Sequence, residues 1–274
     1  MHMRTKKWAR PELAACPFYI NHDGADESLR GTWRKRFAHP ERPLHMEMGC
    51  GKGVSTARMI ADNPEINYII SDMSPDVLGT ARRNIEEACG GDPDNVMILR
   101  TDICFIHRVF GPEDAAERIY IHFCNPWTEH PKHAKRRLTH PRQLMQYRDF
   151  LTPGGEIWFK TDDDTLFEES LVYFDLCGFE TVWRTEDLHR EIGNKDTEVR
   201  TPVSSEDETE STDPVSRFLP NYISEHEQKF MEMGVPIKAG IFRMKAEGPD
   251  FDPTRYRLTP GVKKEALKRL GWDA

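Results

Sequence analysis

An α/β fold, with seven strands in a mostly parallel sheet and helices on both faces, is what this chain predicts. Three observations predict it. Short apolar runs alternate with helical patterns from residue 44 onward. Gly, Pro or Asn punctuates most of the switches between them. Helix-length segments between strands imply crossover connections, and crossovers give parallel strands buried on both faces. The 274 residues suffice for one large core or two modest ones.

Residues 1–40 are basic at first, then Pro- and aromatic-containing, and predict an arm with short helical pieces. The first strand of the repeating pattern is 44–48. A helix over 55–62 stops at Asn63-Pro64, because the residue before a proline avoids helical geometry. The second strand is 67–71. Ser74-Pro75 opens a helix over 75–89, with the proline in the first turn, and Gly90-Gly91 closes it. Strands follow at 96–100 and 118–124. A helix over 141–150 stops at Pro153-Gly154-Gly155, ahead of a strand at 156–160. A helix over 165–177 ends at Gly178, and 179–184 and 241–245 are the last two strands. Between those two lies 186–216, rich in Glu, Asp, Ser and Thr, which reads as a flexible insertion or a lid. Residues 221–233 form a helix, and 263–270 form another with a basic face. The resulting division is a basic arm (1–40), a main domain (41–246) carrying the polar insertion (186–216), and a C-terminal extension (247–274).

The formal net charge of -8 argues against a nucleic-acid partner, whose phosphates reward positive surfaces. The layout of the charges points the other way. Arg4, Lys6, Lys7 and Arg10 cluster at the start, and Lys132, Lys135, Arg136, Arg137, Arg142 and Arg148 cluster in the middle. The acidic excess sits elsewhere, notably at Glu206, Asp207, Glu208 and Glu210. A basic face on an acidic protein suits nucleic acid. Six cysteines form no CxxC pair, and the basic N-terminus lacks an apolar signal stretch. The expectation is reduced thiols in the cytoplasm, with no membrane span and no metal.

In parallel sheets, ligands sit outside the carboxyl ends of the strands. Five strand ends or the loops just past them carry a notable polar residue: Glu47, Asp72, Asp102, Asn125 and Asp162. They are expected to share one rim. Gly49, Gly51 and Gly53 supply a tight turn after the first strand that permits close ligand approach. Glu47 beside that turn repels a pyrophosphate but suits the ammonium or sulfonium of S-adenosylmethionine. Asp72 is placed to accept from both ribose hydroxyls, and Asp102 from an adenine amino group. A P-loop is excluded, because Lys52 falls among the glycines without a following Ser or Thr. The plainer alternative is a turn that merely connects two elements, with Lys52 as a solvated surface residue.

Asn125-Pro126-Trp127, followed by His133 and Lys135-Arg136-Arg137, resembles the motif of the tRNA (guanine-N7)-methyltransferase family. That motif has Asp-Pro-Trp-Pro-Lys, then a His and a Lys-Arg-Arg run. Here Asn125 replaces Asp, Thr128 and Glu129 replace Pro-Lys, and the spacing to His133 is one residue longer. Glu47-x-Gly49-x-Gly51-x-Gly53 and Thr161-Asp162 are similar to family segments, and Asp72 stands where Glu is usual. Ser224-x-x-Glu227 resembles the family's Thr-x-x-Glu signature. The resemblance spans roughly 40–245 and implies a Rossmann-like class I methyltransferase. It implies S-adenosylmethionine as methyl donor, S-adenosylhomocysteine as product, and 7-methylguanosine in the tRNA variable loop. It places Glu47, Gly49, Gly51, Asp72, Asp102 and Asn125 around the cofactor. It makes Asn125, Asp162 and Glu227 the catalytic candidates, and gives Asp162, Ser224, Glu227, His133, Lys135 and Arg136 to the tRNA.

Guanine N7 carries a lone pair and no proton, so methylation there needs alignment rather than a base. Either Asp162 or Glu227 would accept from guanine N1–H and the exocyclic amine. Lys135, Arg136 and Arg137 would hold phosphates, or be a plain solvated helix face. His133 is either a tRNA contact or a capping residue, and Trp127 either stacks on the base or anchors its loop. The alternatives to the main reading are a protein that binds cofactor and RNA without turnover, and a methyltransferase for another RNA or a small molecule. Monomer and homodimer are both open.

Overall fold

The computed structural model describes residues 5–22, 26–127, 131–193, 217–218 and 220–272. Thr128, Glu129, His130, Arg4 and most of the 186–216 insertion therefore lie outside the described residues.

The elements in chain order are α1 (Ala9–Ala15), β1 (Tyr19–Asn21), β2 (Leu44–Met48), α2 (Val54–Asp62), β3 (Asn67–Asp72), α3 (Pro75–Cys89), β4 (Val96–Arg100) and β5 (Ala116–His122). Then come α4 (Pro141–Phe150), β6 (Leu151–Thr161), α5 (Asp164–Leu176), β7 (Phe179–Thr185), α6 (Leu188–Ile192), α7 (Glu225–Glu232), β8 (Lys238–Met244) and α8 (Pro260–Arg269). The strand order is β1-β4-β3-β2-β5-β6-β8-β7. All neighbours are parallel except β8, which runs antiparallel to both β6 and β7.

Among the described residues the sheet has eight strands, not the seven expected. The extra one is β1, the edge strand, which pairs with β4 through Tyr19, Ile20 and Asn21. Three residues are too few to show a period, so this strand is invisible to pattern reading. The fourth expected strand is shifted as well. Its actual end is His122, because Phe123 turns into left-handed backbone at φ 52°.

Alternation along the strands splits the interior into two cores. Met46, Met48, Ile69 and Ile119 face one side, under α4, α5 and α8. Tyr68, Ile70, Ile98 and Trp158 face the other, with α1, α2, α3 and α6. Several described residues of the expected arm belong to these cores. Trp33 is fully buried against Phe110, and Leu13 of α1 is buried beside α3. Chain order reverses between β2 and β5, which opens a crevice at their carboxyl ends. Among the described residues no helix is long and apolar enough to cross a membrane.

Candidate active site

The carboxyl ends of β2 and β3 and the loops after β4 and β5 open onto one cleft of about 1140 Å³. Glu47, Asp72, Asp102 and Asn125 all line it, as do the glycines of the turn. Four of the five residues expected on one rim thus converge. Asp162 is not among the lining residues. It lies one strand further along, after β6, and its main-chain carbonyl accepts from Lys238 at 3.1 Å.

Glu47 is only 5% exposed, and Thr56 of α2 donates its hydroxyl to Oε2. Burial pushes the carboxyl up to about 7, against the pull of the Thr56 bond. His122 Nδ1 stands 3.9 Å from Oε1 but brings no charge. Burial and the nearby Lys160 ammonium push His122 down to about 3, so its ring is neutral at neutral pH. A cation entering the cleft would supply the counter-charge that Glu47 lacks. Behind Glu47 is a smaller cavity of about 140 Å³, whose walls include Tyr68, Arg118, Tyr120 and Trp158.

Asp72 ends β3 and ties the turn in place. Its Oδ2 accepts from Gly51 N–H at 3.2 Å and its Oδ1 from Ser74 N–H at 2.9 Å. Each oxygen keeps a lone pair for a hydroxyl. Burial pushes this carboxyl up too. Asp102 Oδ1 accepts from Cys104 N–H at 2.9 Å and so caps the short 3-10 segment after β4. Gly51 and Gly53 have left-handed backbone, at φ 56° and 63°, for different ends. A Cβ on Gly51 would meet nothing within 4 Å, so this backbone faces open cleft. A Cβ on Gly53 would fall 2.9 Å from Ala81 Cβ, so this glycine lets α2 and α3 close together. Lys52 Nζ pairs with Glu225 of α7 at 2.7 Å across the cleft mouth.

The loop after β5 is strained. Phe123 and Trp127 both adopt left-handed backbone, at φ 52° and 47°, and flank Asn125. Asn125 Oδ1 accepts from Trp127 N–H at 3.0 Å, which fixes the side chain and leaves its amide N–H group to donate elsewhere. Arg137 holds this loop from below. It is 4% exposed, its Nε donates to the Pro126 carbonyl at 2.6 Å, and its Nη1 pairs with Glu169 of α5. The expectation that Arg137 grips phosphate is therefore corrected: a buried guanidinium with those partners anchors the loop. Arg148 is likewise structural, donating to the carbonyls of Cys177, Gly178 and Lys245. Lys132, Lys135, Arg136 and Arg142 stay exposed. Arg136 lines the cleft and lies over the Trp127 ring at 5.0 Å, while His133 meets that ring edge-on at 5.8 Å.

Ser224 and Glu227 separate. Ser224 lines the cleft and caps α7, its Oγ accepting from Glu227 N–H at 3.1 Å. The Glu227 side chain turns inward instead and is 1% exposed. It accepts from Asn221 Nδ2 at 2.9 Å and pairs with Lys160 Nζ at 3.3 Å, and His189 Nε2 stands 3.1 Å from its Oε1. Burial alone would raise its pKa, but Lys160, His189 and Asn221 prevail and hold it at about 2. Glu227 lines neither cavity, so the structure does not bring this candidate to the cleft. Sequence pattern alone misses the roles of Lys160, His122 and His189. Lys160 in an apolar strand run (Ile157-Trp158-Phe159-Lys160) is the signal that a buried acid must face it.

A glycine turn and acidic strand ends at the reversal of a parallel sheet, with one antiparallel strand inserted near its edge, define a class I methyltransferase using S-adenosylmethionine. Residues 41–239 match the family described as "Putative methyltransferase". The chain is 44% identical over 241 residues to the tRNA (guanine-N(7)-)-methyltransferase of Clostridium perfringens (strain SM101 / Type A), covering 87% of this chain and 97% of that one. It is 39% identical over 248 residues to the enzyme of that name from Acetivibrio thermocellus, covering 89% and 100%. The chain belongs to the tRNA (guanine-N7)-methyltransferase family. Among solved structures, the 16S rRNA methyltransferase KamB aligns with 77% of this chain and 90% of its own, at 10% identity and a TM-score of 0.48. A likeness of that size carries no argument about substrate.

Proposed function

We propose that this chain methylates N7 of a guanine in the variable loop of tRNA, forming 7-methylguanosine. The observation that carries this reading is one cleft lined by Glu47, Asp72 and Asp102 together with Asn125, Trp127 and Arg136. The residues fit the donor: an under-compensated buried carboxylate for a cation, a carboxylate with spare lone pairs for a ribose, and open backbone at Gly51. S-adenosylmethionine, when bound, supplies an electrophilic methyl group.

Everything else is positioning. Glu47 would hold the positive end of the donor, Asp72 the ribose and Asp102 the adenine amine. N7 bears no proton, so the protein needs no general base, and Asn125 loses nothing by being an amide. With its Oδ1 oriented toward Trp127 N–H, its Nδ2 group is the donor it can turn to the base. Guanine O6, beside N7, accepts from such a group, whereas adenine presents an amine there. Asp162, half-buried after β6, lines no part of the cleft and is given no contact with the base. Lys135, Arg136 and Lys132 hold phosphates at the rim. The six free cysteines suit the reducing cytoplasm, where tRNA is modified. The working unit is a monomer or a homodimer.

The test is one reaction with whole tRNA lacking the modification, followed by nucleoside analysis. The expected product is 7-methylguanosine from tRNA and none from free guanosine. Methyl groups on another atom, or none on tRNA, would refute the reading.

A further inference from the structure

Helix α7 overhangs the cleft, with Ser224, Glu225, His226 and Lys229 among the lining residues. Its attachment is unusual. A surface helix normally docks through an apolar stripe. The one buried residue of α7 is the acid Glu227, and Phe230, half-buried and stacked on Phe123 at 6.2 Å, is its apolar contact. Glu227 is held from the sheet by Lys160, itself 2% exposed at the carboxyl end of β6. Asn221 bridges the two, accepting from Lys160 and donating to Glu227. Thr161-Asp162 follows Lys160 directly, and the strand neighbour of Lys160 is His122, beside Glu47.

We infer that Lys160 is a positioning residue: with Glu227 it forms a buried strut that seats α7 over the mouth of the cleft. Glu227 then serves the methyl transfer proposed above by placing Ser224, His226 and Lys229, and does not touch the base. The physical ground is asymmetry. A buried pair is stable while both charges are present, and removing one leaves the other uncompensated. Removing both leaves neither charge of the pair, so an apolar pair of similar volume, although it costs Asn221 its two partners, keeps the helix seated better than either single change. A residue that contacts the base has no such relation to Lys160.

The test is a double-mutant cycle on the full chain with Lys160→Met, Glu227→Met and the combination. Two readouts are taken. Trypsin cleavage after Lys229, followed by mass spectrometry, reports release of α7 without any need for activity. Methyl transfer to tRNA gives kcat and KM. Each single change is expected to speed cleavage and lower kcat/KM by about tenfold or more, and the double variant to recover about tenfold over the worse single in both. Lys160→Arg, which keeps the charge, should remain close to wild type and covers the case in which a single variant fails to fold. A double variant as inactive as Glu227→Met, with cleavage after Lys229 unchanged throughout, overturns the strut. So does a Lys160→Met variant with wild-type cleavage and turnover. Failure of the wild-type chain to methylate tRNA, with the cleavage cycle as expected, would overturn the reaction and leave the strut standing.

Discussion

Glu47 shows how far one residue's surroundings decide its chemistry. Its carboxyl, ordinarily near 4.5, stands at about 7 because burial outweighs the Thr56 hydrogen bond. Between those two values the folded chain holds a proton that the unfolded chain has released. Stability from this group therefore falls as pH rises through that window, and above it ionised Glu47 costs about 3 kcal/mol. Glu47→Gln should raise the melting temperature of the ligand-free chain at pH 8 and weaken its hold on S-adenosylmethionine. For the unaltered chain, affinity for this cation should fall about tenfold per unit below pH 7, because the proton must leave first. Calorimetry in buffers of different ionisation enthalpy would detect the released proton. Flat affinity from pH 6 to pH 8 would count against Glu47 as the counter-ion. The adjacent residues Arg136 and Arg137 make the complementary case. Arg137→Ala breaks a buried pair and strands the Pro126 carbonyl, so it should cost the fold about 3 kcal/mol. Arg136→Ala should leave melting unchanged, weaken tRNA binding and reduce its salt slope by about 1. Melting curves and salt titrations of the two variants separate anchor from contact.

At the scale of elements, the contact between α2 and α3 sets the shape of the glycine turn. Gly53 ends the turn with left-handed backbone, and Ala81 leaves no room for a Cβ there. Gly53→Ala must either move α3 or distort the turn, and should cost about 2 kcal/mol. Because Gly51 and Asp72 share a hydrogen bond, that distortion should also weaken cofactor binding. Denaturant unfolding and calorimetry on the same variant check both parts. Unaltered affinity together with lost stability would show that the turn and the helix contact are independent. The strained loop after β5 follows the same logic in reverse: Arg137 and the Phe123–Phe230 stack hold its left-handed residues.

At the scale of the whole molecule, described residues from the first forty, among them Leu13, Tyr19, Leu29 and Trp33, join the sheet and its cores. Trp33 is fully buried, stacks on Phe110 at 4.9 Å and donates its Nε1–H to the Val109 carbonyl at 2.9 Å. Asp114 accepts from the backbone N–H groups of Gly31 and Trp33. Trp33→Ala should cost about 4 kcal/mol. A chain lacking 1–40 should lose cooperative melting, which scanning calorimetry would reveal. A truncated chain that melts like the full one would mark those residues as a separate arm.

Apolar periodicity and its punctuation determined most of this protein in advance. Strands at 44–48 and 96–100 and helices at 75–89 and 141–150 match the structure residue for residue, because proline, glycine and burial act locally there. The convergence of Glu47, Asp72, Asp102 and Asn125 was legible too, since a parallel sheet sends every strand end to one edge. Tertiary structure alone decided the rest. It assigned β1 to the sheet, because an edge strand of three residues exists only through its neighbour. It turned Arg137 and Glu227 inward, because a charge in sequence carries no record of which side its partner lies on. Lys160 and Glu227 are 67 positions apart along the chain, and only folding brings a buried cation and a buried anion to the same place.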